Sequence, residues 1–266
     1  MNLAKDYSFL TILDKDDVVT ILFNRPRYKN AFHHGLILEL MNVFTMIQSH
    51  SCRLVVLRGV DGFFCAGADL NWMKSALSLS DAENLKESQD LFDCFFLIKQ
   101  CSKPVLGVCE GGALGGAIGF LSVCDYVLCE SDSVFSLSEV KLGLIPAIIG
   151  PFVLSKIGRS FTHALFLSAK RFDANYAYHI GLVHDVVFEK DLEEELYLLT
   201  QQFLLCSPHA LSIAKHFVDS LNGLDFLSQG RLAVQTLATI RCHRDAQEGM
   251  NAFLEKRHPH WETECE

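Results

Sequence analysis

The stretch at residues 103–120 constrains the fold more than any other part of the chain. Pro104 opens the short apolar run Val105–Cys109, which has no helical period and predicts a fully buried strand. Five glycines follow between positions 111 and 119, and the apolar spacing of a helix begins among them. The sequence therefore predicts a strand, a glycine turn and a helix, a junction where backbone N–H groups can approach a ligand. Tight packing of strand on helix without a ligand is the alternative.

The composition allows one large domain or two small ones. Half of the 266 residues are hydrophobic and 21% are charged, so a sizeable core is possible and global disorder is excluded. The net charge of −9 disfavours nonspecific binding to nucleic acid or to an anionic membrane. The longest apolar tract, 104–129, contains Glu110 and Asp125 and predicts core rather than a membrane span. We therefore expect neither nucleic acid nor a membrane as a partner.

The ten cysteines are scattered without paired spacing. The chain has no CxxC motif and no His/Cys cluster of the zinc type, so we expect buried, reduced cysteines and no metal site. Residues 1–17 show neither a secretion signal nor an Arg-rich transit pattern. The sequence therefore predicts a cytoplasmic protein.

Apolar periodicity divides the chain into an α/β core at 1–205 and a helical region at 206–266. The β-type runs 9–13 and 18–23 flank a charged turn and predict a hairpin. Further strands are predicted at 54–57, 126–129 and 134–135. Helices are predicted at 34–48, 81–99, 151–157, 162–169 and 174–180. The apolar side of the helix at 81–99 carries Leu85, Phe92, Phe95 and Phe96. From 192 almost to the end the pattern is helical, with breaks at Ser207-Pro208 and Asn222-Gly223.

Five short motifs lie along the α/β part of the chain. They are Asn24-Arg-Pro26, Asn30-Ala31, Phe64-Cys-Ala-Gly-Ala-Asp69, the glycines of 111–116, and Glu139-Val-Lys-Leu-Gly-Leu-Ile-Pro146. Their order and spacing, together with the tail at 248–257, resemble the enoyl-CoA hydratase/isomerase (crotonase) superfamily over almost the whole chain. The resemblance implies an α/β spiral of ββα units in two roughly perpendicular sheets, followed by a helical trimerisation region. It also implies an acyl-CoA substrate, no cofactor beyond the coenzyme A of that substrate, and a homotrimer or homohexamer.

The chemistry of such a substrate requires donors for a developing oxyanion. When water adds to the double bond of an enoyl thioester, or a proton leaves, the carbonyl becomes an enolate that backbone N–H groups can stabilise. The family motifs place these donors at Ala68 and Gly116, and Gly116 begins a helix whose dipole adds positive potential. Loss of one such donor typically costs about 3 kcal/mol of transition-state stabilisation. An ordinary loop turn is the alternative for Ala68.

Glu139 is the predicted proton carrier. It lies in an apolar segment, where a carboxylate has a raised pKa suited to general acid/base catalysis. The matching Glu of the family motif is catalytic. A surface Glu paired with Lys141 is the alternative, and it would be the commoner case for a lone Glu.

Gly119 stands where typical hydratases of the family carry a second Glu. A single carboxylate must make both proton transfers of a hydration, or shuttle a proton between two carbons as an isomerase does. The segments 64–73, 115–119 and 137–152 look like the bacterial methylglutaconyl-CoA and carboxygeranoyl-CoA hydratases, which share this Gly. We therefore predict hydration of a branched or carboxylated enoyl-CoA, with the acyl branch in room left by Gly119. A 3-enoyl-CoA isomerase and a catalytically silent acyl-CoA-binding subunit are the alternatives.

The resemblance also suggests substrate contacts. Backbone groups of Ala66, Ala68, Asp69, Leu70 and Asn71 would line the path of the adenine and pantetheine. Lys29 and Lys256 could meet coenzyme A phosphates, although solvated surface lysines are the alternative for both. Lys74 and Lys86 are the cations nearest in sequence for a substrate carboxylate. Trp72 and Met73 could pack on the acyl chain, and His33 and His34 fit helix capping or solvent exposure better than metal ligation.

Overall fold

The structure is a computed structural model that describes residue 3 and residues 6–262. Its strands are β1 Leu10–Lys15, β2 Val18–Phe23, β3 Leu54–Gly59, β4 Val105–Cys109, β5 Gly112–Leu114, β6 Tyr126–Glu130, β7 Val134–Ser136, β8 Arg171–Asp173 and β9 Asp185–Val187. Its α-helices are α1 His34–Ile47, α2 Leu70–Ala76, α3 Asp81–Lys99, α4 Ala117–Val123, α5 Gly150–Ser168, α6 Ala174–His179, α7 Leu192–Leu204, α8 Pro208–Ser220, α9 Phe226–Arg241 and α10 Arg244–Glu255. The predicted hairpin, the central strand and the helix after the glycine turn are confirmed.

Two sheets organise the α/β part. Six strands form one sheet in the order β1-β2-β3-β4-β6-β9, in which only the β1–β2 pair is antiparallel. The three strands β5, β7 and β8 form the other sheet, beside the glycine turn. The central strand β4 is buried along its whole length, as a parallel strand covered on both faces must be.

Side chains along the central strands point alternately to the two faces of the sheet, and each face has its own apolar core. Val55 and Leu57 face a large core that includes α1 and α3, whereas Leu54 and Val56 face a smaller one closed by Leu192 at the start of α7. Since successive side chains of a strand point to opposite faces, both cores follow directly from the unbroken apolar run of β3. This sheet is therefore the rigid base on which the glycine turn is mounted.

The structure corrects the sequence prediction at several elements. Leu85 and Phe96 of α3 are exposed, at 72% and 47%, because the buried face of this helix runs through Phe95 and Ile98. The strands β5, β8 and β9 were not predicted, since three residues are too few to show a period. The helices predicted at 151–157 and 162–169 are confirmed as two helical segments of α5, separated by a kink at the non-helical Gly158.

The helices α8 and α9 contain no buried residue in the single chain. The side chain of Arg53 connects this region to the sheet, because its guanidinium donates to the carbonyl oxygens of Cys206 at 2.9 Å and Trp261 at 2.7 Å. The division of the chain between residues 205 and 206 stays a prediction. Residues 1, 2, 4, 5 and 263–266, which belong to the two predicted regions, lie outside the described residues.

Nine cysteines lie among the described residues, and all nine are free thiols. Seven are buried, as predicted, but Cys206 and Cys242 are exposed on the helical region. Cys265 lies outside the described residues. Within the part of the chain that the structure describes, no helix has the length and apolar character needed to cross a membrane.

Candidate active site

The glycine turn presents one free backbone N–H group at the start of α4. Gly112 has φ +139° and lies so close to β7 that an added Cβ would be 2.1 Å from the Val134 carbonyl oxygen, so a larger residue cannot occupy this position. Gly116 then caps α4. Within the described chain, the Gly116 N–H group donates to no protein acceptor. Such a group is available to a ligand oxygen.

The segment before α2 presents the second free N–H group, that of Ala68. Cys65 pairs with this turn through two backbone bonds, from its N–H to the Gly112 carbonyl at 3.3 Å and from the Leu114 N–H to its own carbonyl at 3.1 Å. An isolated bridge joins Phe32 to Ala68. No protein acceptor among the described residues takes the Ala68 N–H. The pairing therefore brings the two predicted oxyanion donors to one place.

A buried ion pair fixes the chain directly after Ala68. The Asp69 carboxylate meets the Arg25 guanidinium at 2.8 Å, and it also accepts from the N–H groups of Asn71 and Trp72 as the N-cap of α2. Burial raises the pKa of Asp69, but these hydrogen bonds outweigh it and the pKa is lowered overall. Arg25 therefore positions the segment that carries the Ala68 N–H group, a contact that its place in the motif Asn24-Arg-Pro26 does not reveal.

A buried amide supports the same arrangement. Asn30 is fully buried, accepts from the Arg25 N–H at 2.9 Å, and donates to the carbonyls of Val60 and Phe63 at 2.8 and 2.6 Å. The next loop is attached in turn, because the Ala66 N–H donates to the Lys29 carbonyl at 2.9 Å. The side chain of Asn30 thus satisfies groups on two loops at once, which explains why an amide is needed there.

Glu139 faces the oxyanion turn from the other side. It begins a short 3-10 turn, Glu139–Leu142, and a Cβ added at Gly115 would lie 3.1 Å from its Oε1 atom. Its Oε2 atom is buried without a hydrogen-bond partner among the described residues. Burial raises the pKa of the Glu139 carboxyl, although a hydrogen bond from its own backbone acts in the opposite direction. A partly desolvated carboxylate with one unpaired oxygen, beside the two predicted oxyanion donors, can move a proton to and from a bound thioester.

These groups line one cavity of about 510 Å³. Most of its wall is apolar, and Glu139 is the one titratable side chain among the described residues that line it. The predicted residues that line it are Ala66, Ala68, Leu70, Trp72, Met73, Gly116 and Glu139. A site with paired donors, one carboxylate and an apolar wall suits a thioester with a hydrocarbon acyl group.

Several predicted binding residues lie outside this lining. The Asp69 side chain is engaged with Arg25, and Asn71 is exposed on α2. Lys29 is exposed, with its Nζ atom 5.1 Å from the centre of the Phe63 ring. Lys256 is exposed and ends α10 with φ +56°. Contacts of these residues with coenzyme A stay predictions.

The structure does not support the cations suggested for a substrate carboxylate. Lys74 is exposed at the end of α2 and is not part of the cavity lining. The Lys86 side chain is 74% exposed and pairs with Asp90 on its own helix at 3.3 Å. Because a buried carboxylate needs a cation or several donors, the described lining favours an uncharged acyl group.

The expected room at Gly119 is absent. Gly119 is buried, and an added Cβ would lie 2.4 Å from Ile149 Cγ2 and 2.9 Å from Phe95 Cζ. Neighbouring side chains therefore occupy the volume that a second carboxylate would need. The prediction that an acyl branch fills this space is wrong for this structure.

Trp72 belongs to a polar network behind the cavity. Its Nε1 atom donates to Glu87 Oε2 at 2.7 Å, and the other carboxylate oxygen of Glu87 lies 3.8 Å from His34 Nδ1. His34 Nε2 lies 2.9 Å from Asp90, so this histidine has acidic neighbours that its sequence position did not indicate. His33 caps α1, as predicted. Among the described residues, no group of three His, Cys, Asp or Glu side chains could hold a metal ion.

Comparison with known proteins finds a matching family and similar relatives. The sequence model of the family described as enoyl-CoA hydratase/isomerase matches residues 14–264. A protein of Arabidopsis thaliana named "Probable enoyl-CoA hydratase 2, mitochondrial" is 33% identical over 91% of this chain and 80% of its own length. The Delta(3,5)-Delta(2,4)-dienoyl-CoA isomerase of Dictyostelium discoideum is 31% identical over 96% of this chain and 91% of its own.

A solved structure extends the comparison to the fold. The enoyl-CoA hydratase of Shewanella pealeana superposes with a TM-score of 0.93 at 31% identity, covering 97% of this chain and 98% of that one. Since the match covers nearly the whole of both chains, the fold is crotonase-like, as the sequence predicted. The family model matches nearly the full length of the chain, and the cavity brings together a half-buried glutamate and two free backbone N–H groups; this chain belongs to the enoyl-CoA hydratase/isomerase family.

Proposed function

We propose that this protein adds water across the double bond of an enoyl-CoA thioester with an apolar acyl group. The observation that carries the proposal is the position of Glu139, buried and unpaired at Oε2 beside the free N–H groups of Ala68 and Gly116. The thioester oxygen accepts from both N–H groups, which stabilise the enolate that forms. The coenzyme A of the substrate is the only group that this reaction requires besides water.

Glu139 makes both proton transfers in the proposed reaction. Its carboxylate accepts a proton from water as the water oxygen bonds to C3, and it then returns that proton to C2 as the enolate collapses. Its raised pKa brings the acid and base forms closer in free energy at neutral pH, which suits a residue that must act in both directions. The packed surroundings of Gly119 leave this single carboxylate as the proton carrier within the described lining.

The identity of the acyl group is the finer part of the proposal. Sequence resemblance favours a branched, carboxylated substrate such as 3-methylglutaconyl-CoA, whereas the lining has no described cation and favours a hydrocarbon chain. We expect crotonyl-CoA or 3-methylcrotonyl-CoA to be hydrated at least tenfold more efficiently, in kcat/KM, than 3-methylglutaconyl-CoA. The reverse order would show that a cation reaches the acyl end in the working enzyme.

An isomerase is the second candidate, and the lone carboxylate favours it specifically. Glu139 would remove a proton from C2 of a 3-enoyl-CoA and return it to C4, using the same two N–H donors. A 3-enoyl-CoA assay beside the hydration assay separates the two activities. Turnover of 3-enoyl-CoA without hydration of any 2-enoyl-CoA would replace the hydratase proposal with the isomerase.

Both reactions depend on Glu139, so Glu139→Gln is the direct test. The substitution keeps the shape of the side chain and removes the base, so kcat should fall by about three orders of magnitude or more, while thioester binding changes little. Steady-state kinetics and calorimetric titration with a saturated acyl-CoA measure the two effects. Glu195→Gln, at an exposed position on α7, is the matched control. Near-full activity of Glu139→Gln would remove Glu139 from the mechanism, and an inactive wild-type protein that still binds would favour a silent binding subunit.

We further propose that the protein works as a homotrimer or homohexamer. The helical region leaves large apolar side chains on its surface, among them Phe226, Val234 and Phe253 at 86%, 70% and 83% exposure. Exposed apolar area of this kind is typical of contact surfaces between subunits.

A further inference from the structure

A second cavity, of about 580 Å³, lies between α3, α5 and α8. It meets α4 at its C-terminal end, through Ser122, Val123 and Cys124, whereas the candidate active site meets the same helix at Gly116. No described residue lines both cavities. The second cavity is therefore separate from the proposed catalytic chemistry.

Five charged side chains line this cavity, with one positive charge in excess. Lys99 pairs with Asp219 at 2.8 Å, and Lys215 pairs with Asp125 at 2.7 Å. Lys156 is the fifth, and it has no carboxylate within ion-pair distance among the described residues. The two aspartates are thus already neutralised, and Lys156 supplies the excess charge.

The ammonium of Lys156 keeps donors free for a ligand. Its Nζ atom donates to the Cys124 carbonyl oxygen at 2.8 Å, which uses one of the three N–H bonds of an ammonium group. Burial lowers the pKa of Lys156 although the nearby charge of Asp125 acts in the opposite direction, so compensation of the charged form is incomplete. An anion beside Nζ would supply that compensation.

The opposite wall of the cavity is aromatic. Phe92 and Phe96 lie nearly parallel on successive turns of α3, with ring centroids 6.1 Å apart, and Phe152 of α5 lies 5.4 Å from Phe92. Phe96 remains 47% exposed and Val218 of α8 68% exposed, so apolar surface at this cavity is still open to solvent. An occupant with a hydrocarbon body would cover that surface.

We propose that this cavity binds a short aliphatic carboxylate, with the carboxylate on Lys156 and the hydrocarbon chain against Phe92 and Phe96. A monoanion matches the single excess charge, and the apolar wall distinguishes an aliphatic acid from an inorganic anion. The ligand is thus defined by one negative charge and a hydrocarbon body. The candidate active site has no group that recognises these two features together.

Calorimetric titration of the full-length protein, in its native oligomeric state, tests this site with sodium hexanoate as the probe. Hexan-1-ol and inorganic phosphate carry the hydrocarbon and the anion separately, and each should bind at least tenfold more weakly than hexanoate to the wild-type protein. Lys156→Met, which keeps the chain length and removes the charge, should weaken hexanoate binding at least tenfold and leave kcat for hydration unchanged. Lys15→Met, at an exposed lysine of the hairpin, is the control and should change neither.

The outcomes separate clearly. Equal binding of hexanol would show an apolar pocket without an anion site, and equal binding of phosphate would show a charge site without hydrocarbon recognition; either would overturn the proposal. Hexanoate that binds Lys156→Met as well as wild type, or that only competes with the enoyl-CoA substrate, would belong to the active site and would also overturn it. If Lys156→Met does not fold, the three probes on the wild-type protein still decide the question. Failure of this proposal leaves the hydration assay unaffected.

Discussion

Trp72 connects the wall of the candidate active site to a carboxylate outside it. The indole ring packs edge-on against Phe32, with ring centroids 5.8 Å apart, and a Cβ added at Gly116 would lie 2.8 Å from Phe32 Cζ. Phe32 therefore connects Trp72 to the predicted oxyanion donor. On its other side Trp72 donates to Glu87 at 2.7 Å. We therefore expect Glu87 to be a positioning residue, which acts on the substrate only through the tryptophan.

Substitution of Glu87 should change substrate affinity more than turnover. In Glu87→Ala the half-buried indole N–H loses its acceptor, so Trp72 should turn away from this position. We expect KM to rise about tenfold while kcat changes less than about threefold, because no proton-transferring group is lost. Steady-state kinetics measure this split.

A conservative variant separates this role from a purely structural one. Glu87→Gln keeps an oxygen that can accept from Trp72 and should restore KM to near the wild-type value. If Glu87→Gln is as impaired as Glu87→Ala, or if kcat falls as it does in Glu139→Gln, then Glu87 acts through its charge and not by holding the tryptophan.

At the scale of elements, the packing of α4 depends on a glycine. Gly119→Ala would place a methyl group 2.4 Å from Ile149 Cγ2, and overpacking of this kind typically costs about 1–3 kcal/mol. Urea unfolding should therefore show a lower midpoint. Gly230→Ala in α9, where nothing lies within 4 Å of the added methyl, should instead stabilise by about 0.5–1 kcal/mol. If the two substitutions change the urea midpoint in the same way, the contact with Ile149 does not restrict the side chain at position 119.

The same packing around residue 119 predicts the effect of Gly119→Glu. A carboxylate at position 119 cannot simply restore the second acid of a typical hydratase, because Ile149 and Phe95 already fill its space. The variant should lose activity on every enoyl-CoA substrate, along with stability.

The junction of β6 and β9 should be sensitive to pH. His184 exchanges two bonds with Val127, since its N–H donates to the Val127 carbonyl and its Nδ1 accepts from the Val127 N–H, each at 2.9 Å. Burial lowers the pKa of His184 to about 4. Because the unfolded histidine takes up its proton near pH 6.5, the stabilisation is complete above that pH and is lost as the pH falls towards 4.

The expected loss from His184 between pH 7.5 and 5.5 is about 1 kcal/mol in the free energy of unfolding. Urea titrations at the two pH values measure it. His184→Asn keeps an acceptor near the position of Nδ1 but does not titrate, so its stability should fall by about 1 kcal/mol less over the same range. Parallel pH profiles for the two proteins would exclude His184 as the cause.

The sequence predicted the elements whose signals are local, and missed those that depend on distant partners. The spacing of Leu36, Leu40 and Phe44 was enough for α1, whereas β8 exists only because Phe172 pairs with Phe135 of another strand. The same limit applies to the site. The motifs indicated Ala68, Gly116 and Glu139, but the fixing of Asp69 by Arg25 is a contact across the fold that no local pattern shows.

At the scale of the whole molecule, the helical region should hold subunits together. Leu237 of α9 and Leu254 of α10 are 49% and 76% exposed in the single chain, as expected of side chains at a contact between subunits. Light scattering after size-exclusion chromatography at micromolar concentration should give three or six times the chain mass of 29.8 kDa. A monomeric mass would contradict the proposed assembly.

A charged substitution locates that interface. Phe253→Glu on α10 should shift the distribution towards smaller species, because it would place a charge in an apolar contact. Leu13→Glu in the hairpin, at a residue that is 52% exposed, should not. An equal effect of both variants would indicate general destabilisation and not a local interface.

The parallel pairing of the large sheet has a consequence for how activity is acquired during folding. The hairpin β1–β2 joins neighbours in sequence and can form early, but β2–β3 and β3–β4 require long crossovers, which slow folding. The N–H groups of Ala68 and Gly116 meet only through the bridges at Phe32 and Cys65, which join segments far apart in the chain. A partly folded chain can therefore hold most of its helices and still lack an oxyanion site, so recovered catalysis reports completion of the fold.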